Sequence, residues 1–106
     1  MLVLPYNYEV RKQKYLSLID PLRTLVESHG YILATMGSMQ NDLDIVIIPW
    51  EEEFAQRLDL LGAICKEVDG RVIRQKRRLW GREQYWILFG EPGEDYILDI
   101  SLFYPV

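Results

Sequence analysis

The sequence predicts an α+β domain: a mixed, mainly antiparallel sheet of about five strands with two or three helices packed on one face. Three observations lead there. Two stretches, about 7–29 and 51–70, carry apolar residues at helical spacing. Short β-branched or aromatic runs fall at 31–36, 42–48, 71–80, 84–90 and 96–103. Their order is helix, strand, strand, helix and then three strands, which suits one α+β unit. With 106 residues, 1–106 reads as a single domain with one core.

Residues 1–6 form an apolar lead-in expected to pack onto the domain. It lacks the basic start and long apolar core of a secretory signal. Tyr15, Leu18, Ile19, Leu22, Leu25 and Val26 then make a helical stripe. Pro21 within it allows either a second helix, with Asp20 as its cap, or one continuous helix kinked at the proline. Gly30 supplies the stop. The 31–36 run leads through a Gly37-Ser38 turn into 42–48, the most hydrophobic run, which Pro49 ends.

Glu51, Glu52 and Glu53 fit the first turn of the second helix, where negative charge suits the macrodipole. Phe54, Leu58, Leu61, Cys65 and Val68 form its apolar stripe, and Gly70 closes it. The alternation in 71–80 is poor. Gly81-Arg82 reads as a hairpin turn, and 91–95 reads as a loop by composition. In 96–103, Tyr96, Leu98, Ile100 and Leu102 share one face, with Ile97, Asp99, Ser101 and Phe103 on the other.

Composition narrows the functional classes. The net charge of -4 argues against binding nucleic acid through the whole surface. No apolar stretch approaches a membrane span. Cys65, the only cysteine, excludes an internal disulfide and suits a reducing cytoplasm. It belongs to a helical apolar stripe and reads as inert. His29, at a helix end, reads as a charge–dipole residue.

Acidic residues carry the chemistry. Asp42 and Asp44 lie on one face at the mouth of a buried strand, opposite Leu43, Ile45 and Ile47. Two such carboxylates repel each other and resist desolvation, and a divalent cation relieves both problems. Asp99, inside an apolar strand, needs a partner or a metal. If its strand lies beside 42–48, three carboxylates meet in a hard, oxygen-rich site for Mg²⁺ or Mn²⁺. Mg²⁺ completes its octahedron with waters and substrate phosphates, so phosphoryl or nucleotidyl transfer is the matching chemistry.

The Met36-Gly37-Ser38 turn, the Asp42-Leu43-Asp44 opening of a strand that runs to Trp50, the Gly81-Arg82 hairpin and the Leu98-Asp99-Ile100-Ser101 strand follow one another in this order. The order resembles the nucleotidyltransferase superfamily with the DNA polymerase beta-type palm, and most closely the small nucleotidyltransferase-like proteins of phage and prophage genomes. The resemblance implies a bacterial cytoplasm and transfer of a nucleoside monophosphate from an NTP to a hydroxyl. Gly37 and Ser38 would contact the triphosphate, and Asp42 and Asp44 would hold metal. Asp99 would bind the catalytic metal and help to deprotonate the acceptor.

The basic cluster Arg71, Arg74, Lys76, Arg77, Arg78 and Arg82 would meet phosphates of the nucleotide, through Arg82, or of an RNA or DNA acceptor. Trp80 and Trp86 would stack a base. The plain alternative for this cluster is an edge strand protected by charge, and Tyr85, Trp86 and Phe89 read equally as core. Only Met39, Gln40 and Asn41 separate Ser38 from Asp42, where the family inserts a longer segment. That departure keeps open a catalytically degenerate relative that binds nucleotide, nucleic acid or a protein. With no second lobe to clamp a substrate, a protein partner or a second copy is expected to complete the site.

Overall fold

The computed structural model describes residues 8–78 and 81–103. The lead-in at 1–6 and Trp80 lie outside them. The elements are α1 (Tyr8–Ser28), β1 (Tyr31–Met36), β2 (Leu43–Pro49), α2 (Arg57–Val68), β3 (Arg71–Arg77), β4 (Arg82–Phe89) and β5 (Tyr96–Phe103). They make an α+β fold with one sheet in the order β1-β2-β5-β4-β3. Only the central β2–β5 pair is parallel, and the other three pairings are antiparallel.

Strict alternation splits the sheet into two unlike faces. Leu43, Ile45 and Ile47 of β2, Tyr85, Ile87 and Phe89 of β4, and Tyr96, Leu98, Ile100 and Leu102 of β5 are buried. They form one core with Tyr15, Leu22 and Val26 of α1 and with Leu60, Leu61 and Ile64 of α2. Both helices therefore cover the same face. The intervening residues, Asp44, Val46, Gln84, Trp86, Asp99 and Ser101 among them, stand on the half-buried opposite face.

Three sequence expectations need correction or a choice between alternatives. Residues 8–28 form one helix that runs through Pro21, not two. Its proline is exposed, so the ring faces away from the core. Glu51, Glu52 and Glu53 do not open α2, which starts at Arg57. The amides of Trp50 and Glu51 donate to the Gly30 carbonyl, and Ala55 N donates to His29 O. Tyr31 Oη donates to the Ala55 carbonyl at 2.7 Å, and Phe54 packs edge-on against the Tyr31 ring at 5.4 Å. These bonds tie 50–55 to the α1–β1 turn and exclude a helix there.

Phe54 and Leu58 consequently leave the core stripe, and Leu58 is 67% exposed. Leu60 and Ile64 take their place beside Leu61. Finally, β3 ends at Arg77, and a register shift between Val72 and Arg74 explains the poor alternation. The shift sets Arg74 opposite Trp86. Its guanidinium covers the indole at 4.7 Å, on the open face, so Trp86 is not part of the core with Tyr85 and Phe89.

Candidate active site

The parallel pairing of β2 with β5 sets Asp44 directly beside Asp99. Asp42, just before β2, joins them, and one carboxylate oxygen from each of the three lies within 4.8 Å of the others. All three are half-buried. Burial pushes the Asp42 carboxyl up, and the Asp99 charge adds to it, against a backbone hydrogen bond that lowers it. Asp44 is raised further, to about 6, by burial, by the charges of Asp42 and Asp99, and by a hydrogen bond shared with Asp99. Among the described residues no ion pair reaches the three carboxylates.

Two entry loops must meet for this to happen, and α1 joins them. Arg11 donates to the carbonyls of Glu94, Asp95 (2.9 Å) and Asn41 (3.4 Å) and to Tyr15 Oη (3.3 Å). Tyr15 Oη donates to Asn41 O at 3.0 Å and accepts from Ile97 N at 3.0 Å. The loop before β2 and the loop before β5 are thus held on one pair of side chains. Sequence reading passed over Arg11, although stepping back four residues from Tyr15 lands on it.

Gly37, at φ +85°, follows the end of β1 beside Asp44. A β-carbon there would lie 2.8 Å from Asp44 Oδ2. Gly37→Ala is therefore expected to destabilise the fold by about 1–2 kcal/mol through the left-handed backbone alone. It should also weaken Mn²⁺ binding by displacing Asp44. Urea unfolding and an Mn²⁺ titration check both; an alanine variant equal to wild type in both would refute the crowding. Ser38 accepts a hydrogen bond from Gln40 N at 3.4 Å. Gly37, Ser38, Met39 and Gln40 wall a cleft of about 490 Å³, whose far side is Tyr8, Glu9 and Lys12 of α1.

The basic cluster divides. Arg74 lies in the Asp99–Trp86 row of the open face. Arg78 donates to Gln84 Oε1 at 2.6 Å, and Gln84 Nε2 donates to Asp99 Oδ1 at 2.8 Å. Gln84 thereby orients the carboxylate, a role that alternation along its strand made available but that sequence reading did not assign. Arg77 faces the other way and pairs with buried Glu83 at 3.6 Å, as Arg57 does at 3.3 Å. Arg82 pairs across the sheet with Phe103, four residues beyond Asp99 on β5. That is about 13 Å along the strand. The structure does not bring Arg82 to the carboxylates.

No family model and no curated protein matches the sequence. Solved structures do match. A chain in the structure of the GLD-2/RNP-8 complex aligns with a TM-score of 0.52 and 21% identity, over 92% of this chain and 42% of that one. A chain in the non-canonical poly(A) polymerase complex GLD-2–GLD-3 aligns with a TM-score of 0.55 and 22% identity, over 92% and 36%. This chain spans roughly two fifths of the length of those solved chains. At such identity the likeness establishes the fold alone: the α+β arrangement of this chain is similar to part of those solved chains.

Proposed function

We propose that this chain is a minimal nucleotidyltransferase-like domain of the phage or prophage type, acting in the bacterial cytoplasm. It would transfer a nucleoside monophosphate from an NTP to a hydroxyl, with Mg²⁺ or Mn²⁺ on Asp42, Asp44 and Asp99. The observation that carries this reading is the convergence of three carboxylates from two strands remote in sequence, with Asp44 raised to about 6.

The donor set fits the cation. It offers oxygen only, which suits a hard ion, and one oxygen from each of the three carboxylates lies within 4.8 Å of the others, so Asp42, Asp44 and Asp99 would hold it together. Bound there, the cation would supply charge stabilisation at the α-phosphate. The chain's own groups do the rest. The Gly37-Ser38 turn admits the phosphates close to the backbone. Asp99, held by Gln84, takes the acceptor hydroxyl's proton as the acceptor oxygen bonds to the α-phosphorus. The bond from that phosphorus to its bridging oxygen breaks, pyrophosphate leaves, and Asp99 returns its proton to water.

One observation favours a second reading. The 39–41 connection is a tight turn with Met39 at φ +61°, and it holds no cation for a triphosphate. A catalytically degenerate relative would keep the site for binding a nucleotide, a nucleic acid or a protein. A partner chain or a second copy completes the substrate enclosure in either case.

Transfer from α-phosphate-labelled NTPs, in Mn²⁺, to an oligonucleotide with a free 3′ hydroxyl and to the protein itself separates the two readings. Transfer that is lost in Asp99→Asn supports the enzyme. Mn²⁺ binding without transfer moves the conclusion to the binding module, and a wild type that ignores Mn²⁺ ends the enzyme reading.

A further inference from the structure

The turn between Ser38 and Asp42 brings no positive charge to its cleft, but the opposite wall does. That wall is the first turns of α1, and Lys12 is the one cation among the described residues that line it. Lys12 is exposed, and one helical turn from Tyr8 it shares the cleft-facing side of the helix. Its anchor is firm. The neighbouring Arg11 and the next-turn Tyr15 both bond the Asn41 carbonyl, so the helix is fixed against the turn that forms the cleft's other side. Glu9, the acidic group in the same lining, accepts from Gln13 Nε2 at 3.1 Å.

The geometry points to Lys12 as the residue that makes this site select a triphosphate over a monophosphate. This rests on the nucleotide reading above. Asp44 lies beside Gly37, which lines the cleft: its Oδ2 is 2.8 Å from a β-carbon position on that glycine. A nucleotide with its α-phosphate there runs its outer phosphates along the 37–40 turn, toward α1. An ammonium on a four-carbon stem can follow those phosphates as a mobile point charge. A nucleoside monophosphate has nothing to offer it.

Calorimetric titrations of the full chain with Mn²⁺ alone, with ATP plus Mn²⁺ and with AMP plus Mn²⁺ test the assignment, using wild type, Lys12→Ala and Lys12→Arg. Lys12→Ala should weaken ATP binding about tenfold, the loss of one charge-assisted contact. AMP and Mn²⁺ binding should stay unchanged, and Lys12→Arg should restore most of the ATP affinity. Equal ATP affinity in Lys12→Ala and wild type, or equal weakening of ATP and AMP, would overturn the assignment while leaving the nucleotide reading in place. A wild type that binds neither Mn²⁺ nor nucleotide removes that reading, and the role of Lys12 with it.

Discussion

Arg11→Ala is expected to lower the unfolding free energy by about 3 kcal/mol, a large share of the ~5–15 kcal/mol that holds a typical domain together. Arg11 is only 8% exposed, yet its guanidinium serves the carbonyls of Glu94, Asp95 and Asn41 and lies 4.6 Å from the centroid of the Tyr96 ring. Alanine removes the ring contact and leaves those carbonyls short of donors in a half-buried setting. Lysine keeps the charge but not the planar fork that reaches several acceptors at once, so Arg11→Lys should recover only part of the loss. Mn²⁺ affinity should fall as well, because the two entry loops lose their common anchor. An unfolding free energy from urea titration within about 1 kcal/mol of wild type for Arg11→Ala would show that Tyr15 alone suffices.

The second large effect is a reversal. With no metal present, Asp44→Asn should make the protein more stable at pH 7; with Mn²⁺, less stable than wild type. The Asp44 carboxyl is raised from 3.8 to about 6. Between those values the folded chain keeps a proton that the unfolded chain has released, so stability falls as pH rises through the window. Above about 6 the whole cost of the ionised group is present. Asparagine removes it, a gain of about 1 kcal/mol after solvent screening, or ~4–8 °C in Tm. Below 3.8 both carboxyls are protonated and the Asp44 contribution vanishes. Mn²⁺ inverts the order, because losing a direct ligand should weaken its binding about a hundredfold, and only the wild type then gains by mass action. Melting curves at pH 4 and pH 7, with and without Mn²⁺, give the answer; parallel curves in all conditions would mean that Asp44 neither strains the fold nor meets a cation.

Parts of this arrangement were legible in the sequence because they follow from local periodicity. The alternation through 96–103 gave β5 its bounds and placed Asp99 opposite the core side of its strand. Asp-x-Asp at the start of a β-branched run likewise put Asp42 and Asp44 together, and the parallel neighbour supplied the third carboxylate. What escaped reading depends on contacts between distant segments. The start of α2 is set by bonds from 50–55 to the α1–β1 turn, which no pattern within Glu51–Glu53 announces. The hairpin register that sets Arg82 opposite Phe103 is likewise a matter of strand pairing and not of local pattern. Gln84 meets Asp99 across the β4–β5 pairing, so it does not stand out among its sequence neighbours.

The central parallel pair also ties the acidic centre to the long-range part of the fold. Leu43 meets Leu98 across roughly 55 intervening positions, a span that holds α2 and the β3–β4 hairpin. Non-local pairing of this kind slows folding, because loop-closure entropy is spent before the contacts reward it. Asp44 stands beside Asp99 only where that pairing is made, so any opening of the seam takes the acidic centre apart with it.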